Sequence, residues 1–162
     1  MNNQSSKGNR IAKVLSRAGI ASRREAEKII LEGRVKVNGE VLTSPAFNVL
    51  NSDIILIDGD PIAKPDEERL WCFHKPVGAI TTAKDEKNRK TIYDYFPSNL
   101  PRVMPVGRLD LNSEGLLLLT NSGELKRKLE LPSSELSRIY RVRVKGYPKE
   151  ASLDLLRSGI SI

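Results

Sequence analysis

Cysteine and histidine are nearly absent: Cys72 and His74 are the sole examples of each among 162 residues. One thiol excludes an internal disulfide and makes a reducing, cytoplasmic setting the easier home. With one imidazole and one thiol, a zinc centre, a Cys/His nucleophile pair and a Ser-His-Asp triad are all unsupported. Long apolar runs are lacking too, so no segment reads as membrane-spanning, and nothing resembles a lipidation signal. The opening MNNQSSKGNR is polar with no apolar core behind it, which predicts a frayed start and not a secretory signal. Internal repeats and low-complexity tracts are missing as well.

What is present is positive charge. Lys and Arg total 27 against 20 Asp and Glu, a formal net charge of +7 and a pI near 9.6, so a polyanion is the first partner to consider and nucleic acid outranks acidic lipid. The charge falls in three zones. Lys7 to Asn38 sums to +6, Gly39 to Leu70 to −5, and Trp71 onward to +6. The acidic middle ends in GDPIAKPDEERL, where Pro61, Pro65 and a run of charges predict a linker before WCFHKP turns apolar.

Ahead of that linker, Ile11, Val14, Leu15 and Ala18 recur at helical spacing, with Gly19 placed to end the helix. Arg10, Lys13 and Arg17 repeat on another face. Ser22 and Glu25 in SRRE predict a capping box that opens a second helix, with Ala26, Ile29 and Ile30 inward, Arg24 and Lys28 outward, and Gly33 beyond its end. RVKVNGEVL then predicts a hairpin turning at Asn38-Gly39, and DIILID a short apolar strand. Basic residues on helix faces are ordinarily just solvated; here both helices carry them, and the first has little compensating acid.

After the linker, RLWCFHKPVG predicts a strand ended by a turn at Pro76 and Gly78, with Lys75 solvated beside it. TIYDYF predicts a short helix or strand with Tyr93, Tyr95 and Phe96 in a core. RVMPVGRLD predicts a strand whose end at Gly107 delivers Arg108 and Asp110 into a loop. Leu116 to Leu119 follow as a strand expected to be buried on both faces, and the segment from Leu125 to Leu129 as the start of a helix. RIYRVRVKGY alternates like a strand, with Tyr140, Val142 and Val144 on one side. A surface loop acid or a helix cap accounts for Asp110 as it stands. The chemical alternative is a carboxylate at a strand end beside an apolar wall, kept ionised and aimed by Arg108. With no second close acid, it suits attack or base action at a sugar carbon or an electron-poor ring better than hydrolysis by paired acids.

Two resemblances extend this reading. RIAKVLSRAGIASRREAEKIILEGRVKVNGEVL, from Arg10 to about Asp60, resembles the alpha-L RNA-binding domain first described in small-subunit ribosomal protein S-four. The resemblance implies that Arg10, Lys13, Arg17, Arg23, Arg24 and Lys28 contact RNA phosphates, which position a module without reading bases. FHKPVG, PVGRLDLNSEGLLLLTNSGEL and LSRIYRVRVKG together resemble the catalytic domain of ribosomal RNA pseudouridine synthases of the RsuA/RluB branch. By that resemblance Asp110 is the catalytic residue, Arg108 holds the loop and the displaced nucleotide, and Tyr140 stacks on the target uracil.

The implied reaction is a cofactor-free, metal-free isomerisation of uridine in ribosomal RNA, with the large subunit favoured over the small. The implied fold is α+β: an alpha-L module over residues 8–60, with two helices on a small sheet; a linker over 61–69; and a mixed or antiparallel sheet domain with flanking helices over 70–162. The family domain continues with further strands and a basic motif, so the resemblance implies a C-terminally truncated domain. The alternative function is an inert remnant that still binds ribosomal RNA through its first module.

Overall fold

The computed structural model describes residues 8–161; the polar start expected to fray lies outside them as far as Lys7. Strand β1 (Asn9–Arg10) leads into helix α1 (Ile11–Arg17), which buries Ile11, Ala12 and Leu15 and is followed by Gly19. Helix α2 (Arg23–Leu31) starts at Ser22, whose Oγ accepts from the Glu25 N–H at 3.2 Å, and buries Ala26 and Ile30. Only that half of the expected capping box forms.

Strands β2 (Val35–Val37) and β3 (Glu40–Val41) make the hairpin, with φ of 52° at Asn38 and 90° at Gly39. Positive φ at both central residues is the type I′ geometry that Asn-Gly adopts with little strain. Strand β4 (Asn48–Val49) pairs with β1, while β5 (Ile55–Ile57) and β6 (Asp60–Pro61) complete a four-stranded antiparallel sheet ordered β3-β2-β5-β6. Ile11, Leu15, Ile30 and Val35, all fully buried, are the centre of the core this sheet shares with both helices.

A second core begins after the exposed stretch 63–70. Strand β7 (Leu70–Lys75), a 3₁₀ turn at Ile92–Tyr95, and strands β8 (Met104–Val106) and β9 (Gly115–Thr120) form it, with β9 in the middle of an antiparallel sheet ordered β7-β9-β8. Pro105 sits on the edge strand β8, where its missing N–H costs no ladder bond. Ala79, Ile92, Val103, Leu117 and Leu119 are buried together, and Phe73 packs edge-on against Phe96 at 5.1 Å. Helix α3 (Gly123–Glu130), capped by Ser122, lies against β8.

Four expectations are corrected. Leu116 is 67% exposed, because strand alternation sends Leu117 and Leu119 to the covered face and leaves Leu116 on the open one. Tyr95 is also exposed, on the outer side of the 3₁₀ turn. Lys75 is not solvated but fully buried. The segment RIYRVRVKGY is not a strand: no described strand pairs with it, and Ile139, Tyr140, Val142 and Val144 are all exposed. Alternation alone does not hold a strand, whose N–H and C=O groups need a neighbour. Helix α4 (Glu150–Ser158) follows with no buried residue, tied by Arg157 to Glu150 and Asp154 at 2.6 and 2.5 Å. No helix among the described residues is long and apolar enough to cross a membrane.

Candidate active site

The loop joining β8 to β9 carries Arg108 and Asp110, and its backbone is pinned from three directions. At its start, Gly107 adopts φ 74°, a left-handed turn that disfavours a side chain, and its N–H donates to Glu130 Oε1 of α3 at 2.6 Å. Burial pushes the Glu130 carboxyl up, but Lys126, the Gly107 N–H and Arg138 together carry it below its ordinary value. Lys126 also donates to the Pro105 carbonyl at 2.5 Å, so one helix grips both the end of β8 and the turn.

From the other side Thr81 Oγ1 donates to the Leu109 carbonyl at 2.8 Å and accepts from the Leu109 N–H at 3.3 Å. The Gly78 N–H donates to the Leu111 carbonyl at 2.8 Å.

The third grip comes from Lys75, the residue that sequence reasoning set aside. Its Nζ donates to the carbonyls of Pro76, Asp110 and Ser113 at 3.1, 2.9 and 2.8 Å, one acceptor for each ammonium N–H. Burial pushes this ammonium below its ordinary value, and the neighbouring Asp110 charge pulls it partly back. Strand register explains the position: Lys75 pairs with Gly115, which brings the end of β7 under the loop that precedes β9.

The Asp110 side chain is thus exposed on an immobilised main chain, beside a buried cation. The expected partnership with Arg108 is absent: both side chains are exposed and no ion pair joins them among the described residues. Lys75 meets Asp110 through the main-chain carbonyl, and the Asp110 charge is felt at its ammonium without an ion pair between the two side chains among the described residues. A lone, solvent-reachable carboxylate held this way can act as nucleophile or base on a group brought to it. Tyr140, 65% exposed, is joined to this loop by no hydrogen bond or ring contact.

Of the six basic residues expected to meet RNA, Arg10 ends β1, Lys13 and Arg17 lie on α1, Arg23 and Arg24 open α2, and Lys28 sits in its last turn. Lys13, Arg17 and Arg23 line a cleft of about 610 Å³ whose other wall is α3. Arg24 and Lys28 line a second, of about 810 Å³, facing Lys84 and Arg102. Arg10 donates to the Ala46 carbonyl and lines neither.

Two family models match separate stretches of the chain. The S4 domain matches residues 9–55, and RNA pseudouridylate synthase matches residues 69–159, more than half of the sequence. A Rickettsia felis protein named "Uncharacterized RNA pseudouridine synthase" is 57% identical over 137 residues, covering 85% of this chain and 59% of that protein. "Ribosomal large subunit pseudouridine synthase B" of Bacillus subtilis is 43% identical over 153 residues, covering 94% and 62%. The protein of that name from Pseudomonas aeruginosa is 41% identical over 160 residues, covering 96% and 41%. The chain therefore spans about three fifths of the length of the first two relatives. With the matched segment running from β7 through α4, and the pinned Asp110 loop inside it, the chain belongs to the RNA pseudouridylate synthase family.

Proposed function

We propose that the protein isomerises a uridine of ribosomal RNA to pseudouridine, in the large subunit in preference to the small, with Asp110 as the catalytic carboxylate. The observation that carries the reading is the loop itself: Leu109, Asp110, Leu111 and Ser113 are each held through backbone atoms, so the carboxylate is left exposed and aimed without spending its own oxygens on structure. The names of the relatives in Bacillus subtilis and Pseudomonas aeruginosa support the ribosomal substrate and the preference for the large subunit.

The reaction breaks the bond from ribose C1′ to uracil N1 and forms one from C1′ to C5. The C5 proton leaves to solvent and N1 gains one, so no redox partner or cofactor enters the balance. Asp110 meets the nucleotide, the exposed Arg108 beside it takes the displaced nucleotide's phosphate, and the ring of Tyr140 is the stacking platform for the uracil. Extruding the base costs a few kcal/mol, which stacking and phosphate contacts offset. We assign the phosphate contacts to Arg10, Lys13, Arg17, Arg23, Arg24 and Lys28 of a module over residues 8–60, joined by a linker over 61–69 to the chemistry of 70–162.

Tritium release from ribosomal RNA labelled at uracil C5 tests the proposal. Wild-type chain releases tritium, and Asp110→Ala reduces release by about a thousandfold or more. Equal release from both sinks the assignment.

A further inference from the structure

The cleft between α1 and α3 holds more positive charge than its own contacts consume. Six cations line it: Lys13, Arg17, Arg23, Arg102, Lys126 and Arg127. Its two acids are both taken. Glu124 pairs with Lys13 across the cleft at 2.6 Å, and Glu130 with Lys126 at 2.5 Å. Arg17, Arg23, Arg102 and Arg127 form no ion pair among the described residues, and all four are exposed. All four line the same cleft, and from one wall Arg17 and Arg23 act on the Glu124 carboxyl of the other, which is held below its ordinary value first by Lys13.

Four uncompensated guanidinium groups in one cleft repel one another, and an arrangement of this kind is stabilised by an anion that bridges them. The anion must be extended, because the groups come from α1, the start of α2, the approach to β8, and α3. The same cleft ends at the chemistry: Glu130, one of its lining residues, is the acceptor for the Gly107 N–H three positions before Asp110.

We propose that the RNA sugar–phosphate backbone runs through this cleft, bridged by Arg17 and Arg23 on one wall and by Arg102 and Arg127 on the other. The inference rests on the functional reading above but adds to it: Arg102 and Arg127, in the half of the chain that carries Asp110, are RNA-positioning residues, and the Lys13–Glu124 pair is the contact that RNA competes with. A phosphate drawn to Lys13 displaces Glu124, so RNA opens the cleft instead of merely occupying it.

Equilibrium binding of a fluorescein-labelled single-stranded RNA, followed by anisotropy between about 50 and 200 mM salt, tests this without using catalysis. Each phosphate contact removed lowers the slope of log affinity against log salt by about 0.7 for a single strand, so Arg102→Ala with Arg127→Ala makes it shallower by about 1.4. Lys36→Ala with Lys87→Ala removes the same charge outside the cleft and leaves the slope at the wild-type value. Glu124→Gln acts in the opposite direction, freeing Lys13 and tightening binding, an outcome that a misfolded variant does not produce. Equal slopes in the Arg102/Arg127 variant and the wild type, or an equal loss in the Lys36/Lys87 control, overturn the proposal. So does weaker binding by Glu124→Gln. Tritium release by the wild type and by the Asp110→Ala variant reports on the chemistry separately, since the anisotropy measurement needs no turnover.

Discussion

A lysine with no solvent exposure is costly unless its ammonium is satisfied, and Lys75 shows what satisfies it: three backbone carbonyls that converge from the turn after β7 and from the Asp110 loop. Two effects compete on its removal. Lys75→Met keeps the volume and abolishes the desolvation cost of the charge, but deprives three part-buried carbonyls of their donor at about 1 kcal/mol each. The second wins, so the variant is expected to lose about 3 kcal/mol of stability in urea unfolding. Its kcat falls more than its KM, since the loop is misaimed while the RNA contacts persist. A wild-type urea midpoint would show that the three bonds contribute nothing. Sequence reasoning missed this residue for a physical reason. A Lys before a turn is solvated in most proteins, and the acceptors at Asp110 and Ser113 reach it only through the pairing of β7 with β9. FHKP offered the signal, but its meaning was tertiary.

At the scale of elements, features carried by adjacent residues were legible, and features that needed a distant partner were not. The Ser22 half of the capping box on α2 and the Asn38-Gly39 turn follow from local chemistry and are present. The leucine run was read correctly as a strand, but which leucines face the core depends on register, and Leu116 faces outward. RIYRVRVKGY alternates as well as any strand in the chain, yet pairing is what makes a strand, and none of the described strands supplies it. The grip of α3 on Gly107 was likewise unreadable, since it joins residues 23 positions apart.

That grip has a pH signature. The Glu130 carboxyl is held below its ordinary 4.5 in the folded protein. Between the two values the unfolded chain binds more protons, so the contribution is complete above about pH 4.5 and is lost as pH falls through the lower, folded value. Thermal unfolding of wild type and Glu130→Gln is expected to differ by a constant amount near neutrality, and the difference is expected to vanish in acid. A gap that widens as pH falls would contradict the assignment.

The whole molecule is two cores with little apolar surface shared between them. One cluster draws on residues from Ile11 to Ile55 and the other on residues from Ala79 to Leu119, and no residue belongs to both. Among the described residues, Lys13–Glu124 is the one ion pair that joins the halves, and its side chains are 30% and 65% exposed. An exposed pair of this kind is worth at most about 1 kcal/mol and is screened by salt. Each core exceeds that by far, since burying a single Ile or Leu side chain contributes about 1.5–3 kcal/mol.

The halves should therefore unfold as separate cooperative units rather than as one. Glutamyl endopeptidase cutting at the exposed Glu67–Glu68 bond would leave both intact. Arg69 and the strand behind it stay anchored on that side, through the Asn121 side chain and the Thr120 hydroxyl. Calorimetry of the uncut chain is expected to show two transitions, each matching that of one purified fragment, and salt is expected to move neither much. RNA that spans both walls of the cleft couples what the protein leaves uncoupled, so saturating RNA brings the two transitions together and slows cleavage at the linker. A single transition without RNA, lost on cleavage, would mean that the halves are held by more than one exposed ion pair.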